Sequence, residues 1–142
     1  LADVVGSLVF EVPGLVTIGS VPMYMGLMWS VPLFLVIYVG TRVEQVRPGH
    51  GLFYAVITAL AIFAGAEALL PKLAIWKPVD VTLIAGVAAY IVPAEGILGA
   101  ATYVAYRLTT DEPLAVRVAA AFAVMFCYLG AASACYLAIE VA

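Results

Sequence analysis

Four apolar runs dominate this chain, at roughly 21–41, 51–70, 81–107 and 114–139. Each is long enough to cross the hydrocarbon core of a bilayer, which takes about 20 residues in a helix. A fifth run, 1–19, is apolar but carries Asp3, Glu11 and Pro13, and is read as a span or the end of one. Such runs leave few folds open. Backbone groups in lipid must be paired internally, so a helix satisfies them and an open sheet edge does not. A barrel would need apolar and polar residues to alternate, and these runs are continuously apolar. The composition agrees. Of 142 residues, 66% are hydrophobic and 11% charged, against about 45–50% and about 25% in a soluble domain. One small core cannot hide that excess, because a domain of this size still exposes much of its surface. The expected fold is all-α: a polytopic integral membrane bundle of four to five transmembrane helices, forming a single domain over 1–142.

The net charge is −3, and no basic run is long enough for nucleic acid. Residues 1–19 lack the basic n-region and cleavage site of a signal peptide. The chain opens on Leu1, so its native N-terminus is expected upstream. Cys127 and Cys135 are eight residues apart, about 12 Å along a helix axis, too far to bridge one another. They read as small packing residues.

Charges in the connectors set an orientation. The connector 41–50 holds Arg42 and Arg47, and 107–117 holds Arg107 and Arg117. Alternating spans put these two on one side and Lys72 and Lys77, in 71–80, on the other. The excess of basic residues assigns 41–50 and 107–117 to the cytoplasm. Trp76 suits an interfacial anchor on the outer side.

Three acids interrupt the apolar runs: Glu11, Glu67 and Glu95. An acid at a helix centre costs about 2.5–3.5 kcal/mol on insertion scales, so each is a candidate functional residue. Glu95 is the most central, and no Lys or Arg lies within eleven residues of it. Glu67 is near a span end, where it could snorkel outward. The plainer reading is that each acid hydrogen-bonds a neighbouring helix and fixes packing.

The run around Glu95 carries more. Glu95, Gly99, Thr102 and Tyr106 follow i, i+4, i+7, i+11 spacing and share one helix face, with Tyr103 close by. Pro93 would kink a helix over 81–107 beside the acid. Gly96, Gly99 and Ala100 are also the small residues of a tight helix contact. In the run 21–41, "VPMYMGLMWSVPLF" combines two prolines, three methionines, Tyr24 and Trp29. Methionine fits irregular apolar shapes and contacts aromatics well. Tyr24, Trp29, Thr102, Tyr103 and Tyr106 are therefore candidate pocket residues for a flat or elongated apolar ligand. An ordinary packed, lipid-facing helix is the competing reading.

Other chemistries find little support. His50 is the only histidine, so bis-histidine haem ligation and a His-rich metal site are excluded. No Gly-rich phosphate loop is present, and no lysine lies mid-span for a retinal-type linkage. No cofactor and no metal are expected.

Three stretches in order are similar to the carotenoid-biosynthesis membrane proteins of bacteria and archaea that include the carotenoid hydratases. They are "EVPGLVT" followed by "VPMYMGLMW", then "AEALLPKLAIWKP", then "YIVPAEGILGA". Glu67 stands where that family usually has Asp, and Glu95–Gly96 where it has Asn. "VPAEG" also resembles, more faintly, the Pro-x-Glu-Glu motif of membrane lycopene cyclases, with Gly96 for the second Glu. Both resemblances imply one chemistry. A carboxylic acid protonates an isolated alkene in an apolar cavity, and water or an internal double bond captures the carbocation. Glu95, Glu67 and Glu11 would be the catalytic acids. Desolvation disfavours the charged form of a carboxyl, so a buried Glu keeps a proton to give. Tyr24 and Trp29 would face the cation. The resemblance also implies an integral protein of a prokaryotic cytoplasmic membrane.

Two functions therefore stand level. One is a small membrane enzyme acting on an isoprenoid- or carotenoid-like substrate by hydration or cyclisation. The other is a non-catalytic subunit or a lipid- or pigment-binding scaffold of a larger membrane complex. Expected partners are membrane lipid, an apolar isoprenoid-like molecule, and a second copy or a complex partner. A proton-coupled transporter is disfavoured, because no inverted repeat is visible.

Overall fold

A computed structural model describes residues 8–10, 16–18, 21–69, 76–78 and 80–141. Four α-helices carry these residues: α1 (Tyr24–Val46), α2 (Gly51–Leu69), α3 (Ile91–Thr109) and α4 (Leu114–Tyr136). A π turn, Leu137–Val141, extends α4. The helices run up and down with short turns at 47–50 and 110–113. The fold is thus all-α, as the apolar runs predict. Two helices, α2 and the continuous stretch Leu114–Val141, are long and apolar enough to cross a membrane.

Helix α3 is the centre of the bundle, packing on α2, α4 and α1. It buries Ala94, Glu95, Leu98, Gly99, Thr102 and Tyr103. On α2 the buried residues are Gly51, Ala55, Ala59 and Phe63, one every fourth position. That spacing makes a single stripe along one face. Gly99 lies against this stripe: a Cβ there would collide with the Ala59 Cβ and come within 3.3 Å of the Ala55 carbonyl. Small residues facing small residues let the two backbones approach closely, which is how helices associate where apolar burial gives no net drive. Helix α1 contributes Trp29, Leu33, Val36 and Gly40 to the same core. Helix α4 turns Val124, Tyr128 and Ala132 inward and leaves Phe122, Met125, Phe126 and Leu129 uncovered.

The polar end of the bundle is built around the α1–α2 turn. Gly49 has φ +84, a left-handed conformation that glycine adopts without steric cost. Arg107 on α3 reaches Glu44 on α1 at 3.6 Å. The two arginine connectors, 41–50 and 107–117, therefore share one end of the fold.

Residues 81–107 do not form one helix, as the sequence reading expects. Strands β5 (Leu83–Ile84) and β6 (Val87–Ala88) pair as a hairpin, and α3 begins only at Ile91. The cause is local. Ala85 (φ 54) and Gly86 (φ 84) both take left-handed conformations, which a two-residue hairpin turn of type I′ requires. The shorter helix removes the expected kink. Pro93 is the third residue of α3, in the first turn, where a missing N–H breaks no bond. The expected span 1–19 also differs where it is described. Leu8–Phe10 (β1) pairs with Trp76–Pro78 (β4), and Thr17–Ile18 (β2) with Val21–Pro22 (β3). The hairpin β5–β6 is tied to the chain's far end: Glu140 accepts hydrogen bonds from the Thr82 N–H at 3.0 and 3.1 Å and from its hydroxyl at 3.0 Å.

Candidate functional site

Glu95 occupies the second turn of the central helix, with 1% of its surface exposed. Its Oε2 has no hydrogen-bond partner among the described residues. Two further groups are close enough to interact with it electrostatically: Glu67 from α2 and Tyr128 from α4. Tyr128 also interacts with Glu67 and Tyr90. Three helices and the turn that leads into α3 thus bring two carboxyls and two phenols within electrostatic reach of one another. Glu67, near the end of α2, is half-buried and within electrostatic reach of Glu95.

Aromatic rings close this cluster on the α1 side. Trp29 stacks on Phe63, centroids 4.9 Å apart, and tilts against Tyr128 at 6.1 Å. Phe63 precedes Glu67 by one turn on α2, so ring and acid share a face. Trp29 therefore packs inward, against Phe63 and Tyr128.

The remaining candidate residues divide. Thr102 and Tyr106, one and two turns beyond Gly99, line a cavity of about 310 Å³ between α1, α3 and α4, together with Leu33, Ile37, Val124 and Arg117. Thr102 is buried and its Oγ1 has no partner among the described residues. Tyr24 opens α1 and is half-buried. Tyr103 does not join that cavity. Its ring lies in the gap left by two glycines, where a Cβ at Gly40 would come within 2.7 Å of the ring and one at Gly51 would strike the hydroxyl. Glu11 lies outside the described residues.

Tyr103 belongs to a polar cluster that sequence reasoning missed. Arg107 Nη1 donates to Tyr103 Oη at 3.2 Å and pairs with Glu44. Glu44 accepts from the Gly49 N–H at 3.1 Å and the Gly51 N–H at 2.8 Å. Gly51 is the first residue of α2, so the carboxylate sits at the positive end of that helix dipole. Those two N–H groups, Gly49 first, hold the Glu44 carboxyl below its ordinary range, and Arg107 adds to the effect. The available signal was "EQVRPGHG": an acid shortly before a Pro-Gly turn whose N–H groups need an acceptor.

Residues 1–139 match the family described as domain of unknown function (DUF6989). The chain belongs to that family. No curated protein matches it. No solved structure matches it. Among the described residues of this DUF6989 member, no three His, Cys, Asp or Glu side chains converge as metal ligands would. The central cluster itself offers carboxyls and phenols, groups that donate and accept protons.

Proposed function

We propose that this chain is an integral membrane protein whose four helices cross the bilayer, and that Glu95 donates a proton to a lipid-soluble polyene of isoprenoid type. The supporting observation is the burial of Glu95 with an unpartnered oxygen beside a second acid, Glu67. An ionised carboxylate without a partner is costly in apolar surroundings, whereas the neutral acid is tolerated. Such a group is poised to give its proton to an alkene. The π pair forms the new C–H bond and leaves a tertiary cation on the neighbouring carbon. Water then adds and loses a proton, giving an alcohol by net hydration. Alternatively an internal double bond adds and a proton is lost, giving a ring by net isomerisation. In either case the released proton restores the acid. The ring faces of Trp29 and Tyr128 beside the cluster suit a cationic intermediate. The membrane reading rests on the uncovered apolar surface of α4, since patches of that extent mark contact with lipid or protein. The arginines at one end of the bundle support placing that end in the cytoplasm.

The test is isotopic. Protein in lipid vesicles is incubated in D₂O with acyclic and monocyclic polyenes, and products are analysed by mass spectrometry. One deuterium per new C–H bond is expected in the hydrated or cyclised product. A panel of such polyenes recovered without deuterium or conversion contradicts the reading and leaves the alternative, a non-catalytic scaffold in which Glu95 and Glu67 lock helices together. The close Gly99–Ala59 contact beside Glu95 favours that alternative.

A further inference from the structure

We infer that the cleft between α1, α3 and α4 holds one acyl chain of an anionic phospholipid, with the headgroup phosphate on Arg117. The cleft has a volume of about 310 Å³, at the lower end of the roughly 300–1,000 Å³ of small-molecule sites. Its polarity is graded along the helix axes. Arg117, in the first turn of α4, lines it at the arginine end of the bundle. Among the described residues Arg117 has no ion-pair partner. Asp111 and Glu112 stand in the preceding turn, exposed, and do not line the cleft. Farther in, Tyr106 and then Thr102 line the α3 wall. Thr102 is 8% exposed, and its Oγ1 has no partner among the described residues. Buried hydroxyls are normally paired, and an ester carbonyl would accept this one. Leu33 and Val124, farther still from the arginine end, make the inner wall apolar.

Cation, hydroxyls and apolar wall thus follow the order of phosphate, ester and chain in a phospholipid. Thr102 lies seven residues from the end of α3 at Thr109, about 10 Å along the axis, a depth suited to an ester below its headgroup. A guanidinium binds phosphate through two parallel N–H bonds, which a zwitterionic headgroup's added cation would oppose. The inference rests on the membrane-spanning reading and is independent of proton donation by Glu95.

The experiment is native mass spectrometry of the detergent-purified full chain, offered phosphatidylglycerol, phosphatidylcholine with matched chains, or free oleate. The wild type is expected to retain phosphatidylglycerol in preference. Arg117→Gln should lower that retention about tenfold, as loss of a charge-assisted pair implies, and Arg117→Lys should restore part of it. Arg47→Gln removes the same charge outside the cleft and should change nothing. Thr102→Val should weaken retention without abolishing the headgroup preference. Equal retention of the two lipids overturns the inference. So does an equal loss in Arg47→Gln and Arg117→Gln, which would indicate surface charge alone. Retention of free oleate in place of phospholipid overturns it as well. Release of the chain from vesicles by alkaline carbonate would refute the membrane reading separately, and the inference with it.

Discussion

Glu44 on α1 and Arg107 on α3 meet at 3.6 Å across the end of the bundle where α1 turns into α2. Exposed ion pairs contribute little by themselves. Here the pair is the outer part of a cluster whose inner part is backbone. The Gly49 and Gly51 N–H groups both donate to Glu44, so one carboxylate fixes the turn, starts α2 and holds α3.

That arrangement makes stability depend on pH. The Glu44 carboxyl titrates below its ordinary 4.5 in the folded state, chiefly because the Gly49 N–H favours the ionised form. Unfolding returns it to the ordinary value. Its contribution is complete above that value and is lost as pH falls through the lowered folded one. The melting temperature in detergent should therefore be higher for the wild type than for Glu44→Gln at neutral pH, with the gap narrowing as the pH falls below 4.5 and the carboxyl takes up its proton. A gap that does not depend on pH would show that the carboxylate charge is not what matters.

The α2–α3 contact yields a paired prediction on two glycines. Gly99 has no room for a methyl group, because Ala59 occupies it, whereas a Cβ at Gly130 on α4 meets nothing within 4 Å. Gly99→Ala should destabilise by about 1–3 kcal/mol through overpacking. Gly130→Ala should be neutral or stabilising by up to about 1 kcal/mol, because alanine suits a helix better. Detergent-based unfolding of the two variants decides the matter, and equal effects would contradict the packing described.

What was legible in the sequence follows from what each signal depends on. Unbroken apolar runs gave the helices α1, α2 and α4, because no other state pairs a backbone in such a run. The face of Thr102 and Tyr106 followed from helical spacing, and both line one cavity. The hairpin at 83–88 was hidden, since Leu83, Ile84, Val87 and Ala88 are as apolar as a span. Only Ala85–Gly86 marks the turn, and alanine is an uncommon residue there. Tyr103 is one helical step beyond Thr102, and that rotation takes its ring to Gly40 and Gly51 rather than to the cavity. Tyr128 gave no signal at all. Its proximity to Glu95 and Glu67 arises from packing between α3 and α4, which no local pattern encodes.

The placement of the connectors can be tested from outside. Gln45 and Glu112 are exposed at the arginine end, and Asp80 is exposed beyond the far end of α2. Single cysteines at these positions, in a chain with Cys127→Ala and Cys135→Ala, would be probed with a membrane-impermeant thiol reagent on sealed vesicles. Positions 45 and 112 should label from one side and position 80 from the other. Labelling of all three from the same side contradicts a four-span arrangement.

One substitution separates proton donation by Glu95 from a role in packing alone. Glutamine is nearly isosteric with glutamate and still hydrogen-bonds, but it cannot supply a proton of useful acidity. In Glu95→Gln, conversion of a polyene by the vesicle-bound protein should fall by about 10²–10⁴-fold. The melting temperature should be unchanged or raised, because no latent charge remains buried. Conversion and melting temperature are to be measured on the same preparation. Undiminished conversion by a folded Glu95→Gln protein would contradict the proton-donor account and leave Glu95 as a residue that locks helices.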